Sequence, residues 1–293
     1  MAEFRADQAA GLRRLFGRPP LRVVTFAAGS VGVGKSVAVA NLAASLAAQG
    51  REVLVLDENP DDNIAGYFGV CAPHDLQQVI DRQRSLSEVM VTVAPGVRVL
   101  PTVRVVGRLA RLNAGQQRVL LECLSEIGQP ADVVLVDASL DHPLGFSPLG
   151  LAAHETVVVV SPNSSAITAA YALIKKVSLG YARKHFRLMV NKVRLGSEAQ
   201  AIHDNIAQVT GSRRLAHLEY AGFVPFDECL RQAARLCQPV AGLFPDAPAA
   251  QAYRQMARDL LEWPRVDDLG GLEQFVEQLL HLSRHIDPTA IYA

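Results

Sequence analysis

Gly29, Gly34, Lys35 and Ser36 follow the order G-x-x-x-x-G-K-S within GSVGVGKS, residues 29–36. Residue types at this spacing can hold a phosphate chain. Glycines let the backbone turn tightly and present successive N–H groups to anionic oxygens, a lysine reaches the β- and γ-phosphates, and a serine hydroxyl can ligate Mg²⁺. Such a loop needs an acidic group at the end of a neighbouring strand to hold the Mg²⁺ shell through water. Asp137, which ends the apolar run in ADVVLVDAS, has that type and place. Asp57 ends VLVLD in the same way, and by itself reads equally as a turn residue ahead of Pro60.

These groups can act together only if regular elements position them. LRVVTFAA is a strand-like run that feeds the loop, and the Ala/Leu/Val-rich segment from about Lys35 to Gln49, stopped by Gly50, reads as a buried helix. EVLVLD, VRVLP, DVVLVD, ETVVVVSP, FRLMVNK and LEYAGFVP read as further strands. Helical patterns lie at about 114–127, 164–179, 198–210, 227–237 and 247–262. Apolar strands alternating with helices predict an α/β fold: three layers, a mostly parallel sheet with helices on both faces. Residues 21–263 form this expected domain. Ahead of it, residues 1–20 read as an amphipathic arm ended by Pro19-Pro20. Behind it, 264–293 hold a polar break and an amphipathic helix at about 272–286.

Bulk properties narrow the function classes. Lys plus Arg equals Asp plus Glu at 29 each, a poor charge balance for bulk nucleic-acid binding. The four cysteines, Cys71, Cys123, Cys229 and Cys237, form no C-x-x-C pair and read as thiols in a reducing compartment. Glu3, Arg5 and Asp7 stand where an export signal needs an apolar run, and the longest apolar runs are strand-length. The expected location is cytoplasmic, with peripheral contact at the inner face of the membrane left open for the 272–286 helix. Its apolar face suits a lipid surface, its own domain or a partner, while its Glu- and Gln-rich polar face is unfavourable for anionic lipid.

The loop, the two strand-end acids and the stretch SPNSSAITAAYALIKKVS, 161–178, resemble the MinD/ParA group of P-loop ATPases. MVNKV and GFVPFDECLRQA resemble the elements that hold adenine in that group. DQAAGLR, 7–13, and QPVAGLFPDAPAAQAYRQMA, 238–257, are similar to the FlhG (FleN) branch, MinD-like regulators of flagellar number and placement. The resemblance implies that Gly29, Gly32, Val33, Gly34, Lys35 and Ser36 bind ATP, with Mg²⁺ held by Ser36 and Asp137. It implies that Asn191 reads adenine while Pro225 and Asp227 border the base. It further implies that Lys35, Asp57, Asp137 and position 59 serve hydrolysis, and that Asp7, Gln8, Leu12 and Arg13 face an FlhF-type GTPase. An ATP-dependent homodimer and contacts with other flagellar assembly proteins belong to the same expectation.

The chain departs from that pattern where hydrolysis is concerned. The group's extra lysine, which reaches across an ATP-bound dimer, falls on Ser30, and the next glycine falls on Val31. Its second strand-end acid falls on Asn59, whose amide can hydrogen-bond water but cannot accept its proton. Ser139 takes a glycine's place in the segment after Asp137. The expectation is a regulatory switch that binds ATP and hydrolyses it slowly or not at all. The alternatives are a ParA-like DNA-partitioning ATPase and a non-hydrolysing nucleotide-binding scaffold.

Overall fold

The computed structural model describes residues 21–59, 63–127, 131–140, 147–153 and 155–264, with Phe275, Gln278, Leu279 and His281. The arm residues Asp7, Gln8, Leu12 and Arg13 lie outside the described residues.

Among these, eight strands form one sheet in the order β3-β4-β2-β5-β1-β6-β7-β8. They are β1 (Arg22–Ala28), β2 (Val53–Asp57), β3 (Val91–Ala94), β4 (Val97–Pro101), β5 (Val133–Asp137), β6 (Glu155–Val160), β7 (His185–Val193) and β8 (His217–Pro225). All pairings are parallel except β3 with β4. Every residue of β1, β2 and β5 is buried, the state that continuous Val/Leu runs dictate when both faces are covered. The antiparallel edge strand β3 is not among the strands expected from the sequence. Four residues, three half-exposed and Thr92 exposed, carry too little periodicity to mark it, and the strand meets β4 through the Pro95-Gly96 turn, where Gly96 adopts φ +74°.

The long helices are α1 (Lys35–Ala47), α2 (Ala114–Ile127), α3 (Ser164–Tyr181), α4 (Gly196–Ser212), α5 (Glu228–Arg235) and α6 (Pro248–Glu262). Helix α1 is buried nearly all round because α6 lies across it. Gly50, at φ +76°, ends the helical turn by donating to the Ala47 carbonyl. Short helical turns at 64–68, 76–80, 86–89, 103–106, 109–111 and 148–152, absent from the sequence reading, fill the connections. Each is too short to show a 3.6-residue pattern.

Alternation along the strands sorts the core in two. Val53, Val55, Val133 and Leu135 join the cluster that contains α1, α3, α4 and α6. Leu54, Leu56, Val134 and Val136 join the opposite cluster with Leu120 and Leu124 of α2. Phe275 and Leu279, two apolar residues of the expected tail helix, are fully buried in this second cluster. No helix among the described residues is long and apolar enough to cross a membrane.

Candidate functional site

Parallel pairing brings the C-terminal ends of β1, β2, β5, β7 and β8 to one edge of the sheet, where ligands of open α/β sheets bind. The loop 29–34 leaves β1 there and runs into α1. Its glycines are each required for a stated reason. A Cβ on Gly29 would lie 2.2 Å from the Ala169 carbonyl oxygen of α3, so only glycine permits that approach. Gly32 and Gly34 take φ +75° and +86°, and Gly34 is the N-cap of α1. Helix α1 has no side-chain cap and no acidic residue in its first turn, which leaves its positive N-terminal end to the loop. Val31 is 83% exposed in the loop.

Beneath the loop lies a buried charged cluster. Register places Asp57 of β2 directly beside Asp137 of β5. Lys35, at the start of α1, forms an ion pair with Asp137, and both side chains are buried. The Asn59 amide donates to the Asp137 backbone carbonyl at 3.0 Å and also to its carboxylate. Asp57 accepts backbone N–H groups from Asn59 at 3.0 Å and Ile64 at 2.6 Å, so this acid closes the turn that follows β2. Burial, and then the neighbouring Asp137 charge, push the Asp57 carboxyl up to about 7.

Glu58 is a site residue that sequence reasoning missed. It is fully buried on the strand face opposite Asp57 and accepts from the Ser139 N–H at 2.9 Å and from the Ser147 hydroxyl. Ser147 in turn caps the 148–152 helix by accepting the Gly150 N–H at 2.8 Å. Glu58 thus ties the end of β2 to both sides of the segment after Asp137. Burial pushes its carboxyl up to about 7 against the lowering effect of those two hydrogen bonds. The usable signal is parity: in DEN, the middle residue faces the other side from its neighbours.

On the β7 side, Asn191 is buried and its amide donates to the Val33 carbonyl at 2.8 Å. Its side-chain oxygen accepts the Lys192 N–H at 2.9 Å. Pro225 ends β8 opposite Val193. Asp227 caps α5 by accepting from Cys229 at 2.8 Å, and its second oxygen accepts the Ala249 N–H at 2.9 Å, bracing α5 against the start of α6. The structure therefore brings Lys35, Asp57, Asn59, Asp137 and Asn191 together at the loop. Asp227 has its carboxylate committed to backbone at the start of α5 and α6.

Comparison with known proteins agrees with this architecture. The CobQ/CobB/MinD/ParA nucleotide binding domain profile matches residues 24–240. The chain is 30% identical to the antiactivator FleN of Pseudomonas aeruginosa over 273 residues, which is 92% of this chain and 97% of that protein. It is 31% identical to the chromosome-partitioning ATPase Soj of Thermus thermophilus over 83% of this chain and 97% of Soj. The septum site-determining protein MinD from Pyrococcus horikoshii, solved with Mg-ADP, superposes with TM-score 0.61 at 20% identity, over 86% of this chain and 98% of that one. The phosphate loop, the strand-end acids and these matches converge: the chain belongs to the CobQ/CobB/MinD/ParA family of nucleotide-binding domains.

Proposed function

We propose that this chain is a regulatory switch that binds ATP with Mg²⁺ and turns it over slowly or not at all. In this reading it controls flagellar number and placement by acting on an FlhF-type GTPase through its N-terminal arm. The observation that carries the reading is the Lys35–Asp137–Asn59 cluster beneath a complete phosphate loop. FleN, itself named an antiactivator, supports a regulatory role, and the MinD neighbour solved with Mg-ADP supports a magnesium nucleotide as ligand.

The chain's own groups divide the work. Loop N–H groups and the uncapped start of α1 bind phosphate oxygens. Lys35 carries the positive charge for the terminal phosphates and is held at the loop by Asp137. Ser36 and Asp137 offer hard oxygen donors of the kind Mg²⁺ takes, and the ion, when bound, neutralises phosphate charge. Asn59 can orient water through its amide but cannot take a proton, and Ser30 supplies no charge to a dimer partner. Binding is therefore retained while two contributions to turnover are missing. The protein's place is the cytoplasm. Because Phe275 and Leu279 are buried in the second core, lipid contact by the tail would first require undocking.

The test has two parts. Calorimetry with ATP and ADP in Mg²⁺ is expected to show binding, and phosphate release is expected to fall far below that of an ordinary MinD-type ATPase. GTP hydrolysis by the FlhF-type partner is then measured with the full chain and with a chain lacking residues 1–20, and only the full chain is expected to stimulate it. Ordinary ATP turnover would refute slow hydrolysis, and equal stimulation by both chains would refute the arm. Similarity to Soj favours DNA partitioning as the second reading, which requires a salt-sensitive DNA complex that the zero net charge opposes.

A further inference from the structure

Lys192 sits at an irregularity that no regular strand would produce. The β7–β8 register pairs Asn191 with Val224 and Val193 with Pro225, so Lys192 is an extra residue, a bulge in β7. It takes φ +63°, a left-handed backbone that a residue with a Cβ adopts only when its surroundings enforce it. Its N–H is instead held by the Asn191 side-chain oxygen at 2.9 Å. The bulge re-aims the side chain across the site, and the ammonium donates to the Gly32 carbonyl at 2.6 Å. Its neighbour Asn191 donates to the next carbonyl, Val33, at 2.8 Å.

We infer that Lys192, together with Asn191, is a positioning residue that pre-sets two peptide planes of the phosphate loop for a nucleoside diphosphate or triphosphate. The reasoning is geometric. A peptide unit is planar and trans, so its C=O and N–H point in opposite directions. Drawing the Gly32 carbonyl out toward Lys192 turns the Val33 N–H the other way. Drawing the Val33 carbonyl toward Asn191 does the same to the Gly34 N–H. Both planes lie in the segment with φ +75° at Gly32 and +86° at Gly34, where glycine allows several orientations and an external hold selects one. Preorganised donors bind an anion more tightly because the reorientation is complete before the ligand arrives. The ammonium also adds positive charge at the loop rim, where Ser30 offers none. Because both side chains come from the end of β7, the strand implied for the base side also sets the phosphate side.

This inference rests on the nucleotide-binding reading above, and the experiment separates the two. ADP and AMP affinities are measured by calorimetry for the natural chain and for Lys192→Gly, Lys192→Met and Lys192→Arg. Lys192→Gly relieves the positive φ while removing the ammonium, so its loss of affinity reports the ammonium and not backbone strain. ADP affinity is expected to fall about tenfold in the Gly and Met variants, the scale of one charge-assisted hydrogen bond. AMP affinity is expected to change less than about threefold, because the selected N–H groups serve the outer phosphates. Lys192→Arg is expected to recover most of the ADP affinity, since guanidinium can reach the same carbonyl. ADP affinity at the natural level in Lys192→Gly, or equal losses for ADP and AMP, would overturn the inference alone. A natural chain that binds neither nucleotide would overturn the parent reading and this one with it.

Discussion

Replacing Asn59 by aspartate introduces the acid that the MinD/ParA resemblance leads one to expect at this position, and the structure says what this does before any nucleotide binds. Asn59 gives one donor to the Asp137 backbone carbonyl at 3.0 Å and one to the Asp137 carboxylate. Aspartate has no donor to give, so oxygen faces oxygen at both contacts. Two carboxylates about 4 Å apart repel by about 4 kcal/mol at an effective dielectric of 20, and the lost hydrogen bond to a charged group is worth about 1.5–3 kcal/mol. The two do not add, because the new acid relieves the repulsion by holding a proton. A net loss of about 2–4 kcal/mol at pH 8 follows. The sign with pH is fixed by linkage: the new carboxyl is raised in the folded state above its unfolded value of about 3.9, so the penalty is full above the folded value and vanishes below the unfolded one. Urea melts of the ligand-free protein at pH 8 and pH 4 should therefore show a large deficit at the first and almost none at the second, with Mg-ADP restoring stability at pH 8. Phosphate release should rise by at least about tenfold, since a positioned general base contributes about 10²–10⁴, while ATP affinity moves less. Equal stability at both pH values would refute the contact as drawn. Collapsed ATP affinity without faster turnover would refute the placement of residue 59 beside the reacting water.

Three further expectations follow from the same packing. Asp57 and Glu58 are both raised to about 7, so the ligand-free chain should lose stability as pH rises from about 4 to 7; Glu58→Gln should flatten that slope, removing up to about 3 kcal/mol of it, in urea melts across the range. Gly29→Ala drives a Cβ to 2.2 Å from helix backbone that cannot swing aside, so the urea midpoint should report a loss of about 3 kcal/mol or more and ADP binding should disappear; a variant that binds ADP normally would contradict the close approach. Phe275→Ala empties a fully buried site at a cost of about 3–5 kcal/mol unless the tail undocks first; deletion of 268–293 should then give the same loss and the same rise in hydrogen exchange, and liposome co-sedimentation should increase when Phe275→Ala frees the tail.

The GKS loop, the strand that feeds it and the helix that follows were legible because their signals are local: glycine spacing, β-branched runs, a helix stop. Asp57 and Asp137 could be set at strand ends for the same reason, whereas Glu58 between Asp57 and Asn59 was passed over. Local pattern could not say that Glu58 meets Ser139 and Ser147 more than eighty residues away, which is why its buried, raised carboxyl was missed. Nor could it show β3, too short to carry a period, or the two tail residues seated in the second core. The pairing of Asp137 with both Lys35 and Asn59, and the hold of Asn191 and Lys192 on the loop, depend on strand order and on one bulge in β7. Backbone propensity and side-chain alternation act over a few residues, so they settle which elements form and which way each residue points. Which groups then meet is decided by long-range register between strands that are neighbours in the sheet and distant in the chain. Those meetings set whether the loop is ready for phosphate and whether Asp137 is shared with a donor or opposed by an acid.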